Sequence, residues 1–337
     1  WGELGGQIRA AEAGVEVEEA EVAAKASEVA LRTGELYYGL LLTDETGDAL
    51  GTARDELQAL LDDGDPSVSD ADLFQLRLFE QEYFRQRAEV EQQRALAASA
   101  LARQVLRPGV VVVGGSLEPV PIEVGALESW LALGLAHRPE LRQAAAGVRA
   151  REALVEVAKS DYYPKLFVGG TASGRYAEGR TQQGNPFISD GFLGAGLRFG
   201  LGVRQNLTFF QTRAKVAQAE AERNEVRFQR EAAEQLVLFE VEQAYRNLRI
   251  AAAALAARTE ATAISGEWLR TEQINFDLAL GEVDDLIAAV RADLEARAAR
   301  LDATQRYNVA ALRLLAAAGV LVDRLDRGTL FETSIAD

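Results

Sequence analysis

Between Leu193 and Arg204 apolar and non-apolar residues alternate without a break. Odd positions read Leu193, Ala195, Leu197, Phe199, Leu201 and Val203, while even positions read Gly194, Gly196, Arg198, Gly200, Gly202 and Arg204. Period two predicts a strand with one apolar and one polar face. A second run agrees: Leu166, Val168, Gly170, Ala172 and Tyr176 share one parity, and Thr171, Ser173 and Arg175 take the other. The runs Leu166 to Tyr176 and Leu193 to Val203 each hold 11 residues, within the roughly 9–11 that a tilted strand needs to cross a bilayer. Tyr162, Tyr163, Phe192, Phe209 and Phe210 cluster at the strand ends, where an aromatic girdle would sit. Glu178 to Gly191 is a polar loop suited to an exposed hairpin end. A soluble hairpin packed on a helix carries the same alternation, so the pattern alone leaves both open.

Long helical patterns flank this segment. From Trp1 to about Leu61 the chain reads as helix with Gly interruptions, and Val15, Val22, Val29, Leu36 and Leu40 mark an apolar stripe at near-heptad spacing. Gly64, Pro66 and an Asp/Ser cluster predict a turn, with Ser69 and Asp72 resembling a capping box. A second helix is expected over about Ala71 to Leu106. Pro108, Pro119, Pro121 and the run Val110 to Val113 mark an irregular connector. Helix resumes near Ala126 and again after Pro139. From Gln205 to Ser265 there is neither Gly nor Pro. Continued to about Phe276, this predicts a rod on the order of 100 Å at 1.5 Å per residue, which must pack laterally against similar helices. Leu280 to Leu286 (LGEVDDL) supplies a turn, and a returning helix runs from Leu286 to about Ala318, ending at Gly319.

Composition narrows the possibilities. A net charge of −16 over 337 residues argues against a nucleic-acid partner. Cysteine is absent, which removes disulfides and thiolate metal sites. No apolar run of about 18 residues marks a transmembrane helix, so any membrane crossing is made by strands. Methionine is absent too and Trp1 begins in mid-pattern, so a fragment or a mature product is expected, without a visible export signal. No phosphate-binding loop, H-E-x-x-H or G-x-S-x-G occurs. The single histidine, His137, reads as a residue leading into a helix rather than a ligand. Gly194, Gly196 and Gly200 have the wrong spacing for a dinucleotide fingerprint. No catalytic residue, metal or cofactor is expected.

The two helical hairpins resemble each other. AEA recurs at Ala11 to Ala13 and Ala219 to Ala221, a Tyr three residues before a Leu recurs as Tyr38/Leu41 and Tyr245/Leu248, and Asp72-Leu73 matches Asp285-Leu286. A duplicated unit of helix, two strands, long helix, turn and returning helix follows, only its second copy complete. Symmetry then sets roughly eighty residues before Trp1. Coiled-coil composition alone can also produce such likeness.

Residues HRPELRQAAAGVRAREALVEVAKSDYYPKL, NLTFFQTRAKVAQAEAERN, VEQAYRNLRIAAAAL and LGEVDDLIAAVRADLEARAARLDATQRYNVAALRLLAAAG resemble, in order and spacing, the TolC-like outer-membrane factor (outer-membrane efflux protein) family. The resemblance implies a mainly α protein with a small β part: long antiparallel helical hairpins forming a trimeric tunnel, joined to a twelve-stranded outer-membrane barrel. Four strands per protomer are implied, with only the second pair in this chain. The corresponding divisions are residues 1–106 as first long-helix hairpin, 107–137 as equatorial connector, and 138–164 as the helix of the second repeat. Two transmembrane strands at 165–207 with loop 178–191, a second long-helix hairpin at 208–319 and a tail at 320–337 complete them. Implied partners are two further copies, a periplasmic adaptor (membrane fusion) protein, through it an inner-membrane transporter, and outer-membrane lipid. The implied role is a passive exit duct of a tripartite efflux pump or type I secretion system, in the outer membrane and periplasm of a Gram-negative-type bacterium.

Candidate residues follow. Asp70, Asp72, Glu282, Asp284 and Asp285 either ring the periplasmic mouth, repelling anions, favouring cations and helping to hold a closed aperture, or cap helices and solvate turns. By resemblance the aperture and adaptor contact takes in Asp72, Leu73, Gly281, Glu282, Val283, Asp284, Asp285 and Leu286, although LGEVDDL is more acidic than the Gly-Leu-Arg-rich tip of pump-linked members. Arg175, Arg198 and Arg204 face the barrel lumen, because on the lipid face each costs about 2–4 kcal/mol at mid-depth. Leu166, Val168, Tyr176, Leu193, Leu197, Phe199, Leu201 and Val203 face lipid. A structural envelope protein of the same fold without transport also fits. A soluble coiled-coil interaction protein accounts for helices and acidity but not for the paired strands.

Overall fold

The computed structural model describes residues 2–62, 70–109, 115–179, 184–185, 187–188, 194–278 and 280–331, with only the helical backbone at 53, 56–62, 70–73 and 76. Helices α1 (Glu3–Asp62), α2 (Asp70–Gln104), α3 (Leu127–His137) and α4 (Pro139–Ser160) precede strands β1 (Lys165–Arg175) and β2 (Gly194–Arg204). Helices α5 (Phe209–Asp277), α6 (Val283–Ala317) and α7 (Leu321–Asp326) follow. The mainly helical architecture with one small antiparallel sheet is the one the pattern predicts. The turn at Gly64 and Pro66, the Ser69 cap, the run 110–113, Phe192, Leu193 and most of the 178–191 loop lie outside the described residues.

Two helix starts move for identifiable reasons, and one expected helix end is held in place by a glycine. Helix α5 starts at Phe209 rather than Gln205, because Asn206 Oδ1 accepts hydrogen bonds from the Thr208 amide and hydroxyl at 3.1 and 2.6 Å, making residues 206–208 a cap. Helix α6 starts at Val283, not Leu286, so the acidic pair Asp284 and Asp285 forms its first turn. At its other end Gly319 adopts φ +74°, and the amides of Gly319 and Val320 bond to Ala316 and Leu315 carbonyls at 2.9 and 3.0 Å. This is the paired C-terminal closure that favours glycine. A β-carbon at position 319 would also lie 2.7 Å from the His137 carbonyl carbon, so the position is doubly restricted.

The chain divides into two compact units. The first combines Trp1–Glu19 with Arg142–Ala232. Here α1, α4 and α5 approach through small residues: Ala13, Ala146 and Ala153 are buried, and a β-carbon on Gly6 would fall 2.7 Å from Val157. Around this seam run ion pairs: Arg9–Glu156, Arg149–Glu16, Arg151–Glu222 at 2.6 Å and Lys159–Glu220 at 3.1 Å. All are exposed, where such pairs contribute little individually. The Ala and Gly seam is therefore what fixes the spacing.

The second unit combines Ala20–Leu141 with Ala233–Asp337. Its core gathers Trp130, Val237, Val241, Leu248, Leu314, Leu315 and Leu321, with Leu31 and Tyr38 packed against it. The repeated Tyr-x-x-Leu pattern takes one form in both hairpins, since Leu41 and Leu248 are buried and Tyr38 and Tyr245 partly so. The stripe on α1 divides, with Leu40 buried but Val22 69% exposed. Residues 115–126 are extended and held by side chains of four helices. Buried Asn308 accepts from the Val120 amide at 3.0 Å and donates to the Glu118 carbonyl at 2.8 Å. Glu45 accepts from the Leu117 amide, Trp130 donates to Val124, and Tyr245 donates to Gly125. The tail, which carries no pattern, contributes buried Leu321 and the packed side chains of Leu330 and Phe331 to the core.

Candidate functional site

The hairpin sorts its residues into two faces. Direct pairs Leu166–Val203, Val168–Leu201, Gly170–Phe199, Ala172–Leu197 and Gly174–Ala195 occupy one face. Pairs Lys165–Arg204, Phe167–Gly202, Gly169–Gly200, Thr171–Arg198, Ser173–Gly196 and Arg175–Gly194 occupy the other. Apolar residues thus meet apolar ones on the first face, while on the second Arg198 meets Thr171, Arg175 meets Gly194, and Lys165 meets Arg204 at the stem. Leu166, Val168, Leu197, Phe199, Leu201 and Val203 are all exposed, as is Tyr176 just beyond β1. Two phenylalanines seat on cross-strand glycines. Phe199 lies over Gly170 on the apolar face, 3.3 Å from where a β-carbon would be, and Phe167 covers Gly202 on the polar face, leaving no room for one. Arg204 lies over the Phe167 ring, 5.6 Å from its centroid. At the stem Lys165 binds Glu3 at 2.8 Å and Asp161 at 2.9 Å. That ammonium holds the Asp161 carboxyl below its usual range.

The turn between α5 and α6 presents a second surface. Leu280 and Gly281 amides both bond to the Asn275 carbonyl, at 2.9 and 3.1 Å. Glu282, Asp284 and Asp285 are exposed, Gly281 partly so. Val283 and Leu286, expected at a contact surface, are instead 8% and 2% exposed, packed with Phe79 and Phe276. The early start of α6 turns them inward, so they brace the turn from behind. Asp70, Asp72 and Leu73 lie in the first turn of α2, but their side chains lie outside the described residues.

Sequence patterns did not expose two polar clusters, one buried and one partly buried. Asp293, 3% exposed, accepts from the Ser265 hydroxyl at 2.9 Å and pairs with Arg297 at 2.5 Å, pinning α5 to α6. Arg138, first residue of the RPEL sequence, pairs with Glu240 and with Glu140 at 3.1 Å. It also reaches the Ala316 carbonyl at 3.5 Å. His137 ends α3 and is exposed. No group of His, Cys, Asp or Glu suited to a metal occurs among the described residues.

The fold of long helices joined to a two-stranded hairpin is shared with solved outer-membrane channels. The open-state MtrE channel of Neisseria gonorrhoeae matches with TM-score 0.77 and 19% identity over 99% of this chain and 73% of that one. The CmeC channel of Campylobacter jejuni gives 0.75 and 16% over 99% and 72%. The outer membrane protein VceC of Vibrio cholerae gives 0.69 and 16% over 95% and 76%. No curated protein gives a significant match. The family model for outer membrane efflux protein matches residues 130–320. The chain therefore belongs to the outer membrane efflux protein family, efflux-type channels of the outer membrane.

Proposed function

We propose that this chain is one protomer of a trimeric exit duct serving a tripartite efflux pump or a type I secretion system. The observation that carries this is the hairpin register, which leaves one face wholly apolar and exposed and gives each strand a single partner. A sheet edge cannot end unpaired in hydrocarbon, where backbone groups find no water. Strands of the first repeat and of neighbouring copies close the barrel, lipid covers Leu166, Val168, Leu197, Phe199, Leu201 and Val203, and Arg175, Arg198 and Arg204 line the lumen. The exposed stripe Ile8, Val15, Val22 and Val29 on α1 supports lateral packing of helices between copies. Glu282, Asp284 and Asp285, with Gly281, form the periplasmic surface offered to an adaptor, and the start of α2 at Asp72 and Leu73 offers a second.

The test is membrane fractionation of the full-length protein, followed by detergent extraction and native mass measurement. A detergent-dependent trimer in the outer membrane that conducts ions in planar bilayers is expected. A freely soluble monomer or dimer overturns the barrel.

A further inference from the structure

The polar face of the hairpin carries cations and no carboxylate. Lys165, Arg175, Arg198 and Arg204 lie on it, and neither strand contains Asp or Glu. Lys165 is neutralised by Glu3 and Asp161 at the stem. Arg198 and Arg204 have no carboxylate within ion-pair distance among the described residues. Arg204 is held over Phe167. Around Arg198 every neighbour is small: Gly196 and Gly200 along its own strand, Thr171 opposite, Gly169 and Ser173 on the diagonals.

These glycines are not all demanded by packing. A β-carbon at Gly169 or Gly200 would meet nothing within 4 Å, yet each glycine in a strand costs about 0.5–1 kcal/mol. What they provide is an open floor from which the Arg198 guanidinium rises, reachable from every side. Guanidinium stays charged at all working pH values, and its fork matches carboxylate and phosphate oxygens. A lining of one sign in a confined space raises the local concentration of opposite charge by roughly tenfold or more. The chain as a whole is acidic, with net charge −16, so this face is a local reversal.

We propose that the face selects anions, and that the solutes leaving through this barrel bear carboxylate or phosphate groups that pass along Arg198 and Arg204. The inference rests on the barrel reading above. Its test uses full-length protein in planar bilayers, with inositol hexakisphosphate added to either side in turn. Wild-type currents are expected to be blocked from one side, and the R198Q/R204Q double variant to need a roughly tenfold or higher concentration for half block. The charge-keeping R198K/R204K variant retains block. Conductance recorded before the probe reports that each variant is folded. Equal block in the double variant, or no block of a conducting wild type, overturns anion selection while leaving the channel. A wild type that forms no channel overturns the conduit reading and this inference together.

Discussion

Phe167 covers Gly202 across the hairpin so closely that a β-carbon at position 202 would collide with the ring's Cζ. Gly202→Ala therefore either displaces Phe167, and with it the support under Arg204, or opens the strand pair. A loss of about 1–3 kcal/mol is expected, read as a lower midpoint for heat dissociation of the detergent-extracted assembly. Gly200→Ala, with open space at the same face, should stay near wild type. Equal midpoints for the two variants would contradict the packing described.

Leu197 and Arg198 are adjacent but stand on opposite faces. Leu197→Arg should abolish outer-membrane assembly, because a cation at mid-depth on the lipid face costs about 2–4 kcal/mol and each copy in the assembly repeats it. Arg198→Leu should be mild for assembly, measured as the membrane-inserted fraction. Equal tolerance at the two positions would exclude the lipid face assigned here.

Arg138 joins Glu140, Glu240 and the Ala316 carbonyl while only 15% exposed. A lysine cannot bridge three acceptors from one planar fork. Arg138→Lys should lower stability by about 1.5–3 kcal/mol, detected by thermal or denaturant unfolding, and Glu240→Gln should lose part of the same energy in a double-mutant cycle. Gly319→Ala should cost at least about 1–3 kcal/mol, since the left-handed φ and the approach to the His137 backbone both exclude a side chain there.

Burial, with the edge-on neighbour Tyr37 second, pushes the Tyr38 phenol up to about 12. A raised folded-state pKa favours the protonated form. Its stabilisation is complete below the unfolded value near 10 and disappears as pH rises toward 12. Tyr38→Phe should therefore flatten the alkaline limb of a stability-versus-pH curve between those values. An unchanged alkaline limb would show that Tyr38 does not drive it.

Much of this was legible because local pattern and tertiary placement coincide. The strands repeat one alternation over 11 residues each, and the observed register shifts their expected ends by a single residue. Helix α5 was legible because nothing in 205–265 breaks it. At LGEVDDL the acids read as a turn, whereas carboxylates are equally at home in a first helical turn. The family resemblance makes Val283 and Leu286 contact residues, and their burial beneath the turn, on a helix that starts at Val283, is visible only in the packing. Asp293 with Arg297 four residues on, and Arg138 beside Glu140, read as ordinary local ion pairs; what escaped notice is the partner across the fold, for Glu240 lies 102 residues from Arg138 and Ser265 lies 28 from Asp293. No spacing rule spans such gaps.

The pairing of like with like across the hairpin has a further consequence for biogenesis. Sliding one strand by a single residue would set leucines beside arginines and leave neither side of the ribbon fit for hydrocarbon. A mis-paired hairpin is therefore stranded at the water interface, where it can unzip and try again. In the barrel proposed here, the bilayer itself would proofread the strand pairing, admitting only the ribbon in which Leu197 meets Ala172 and Arg198 meets Thr171.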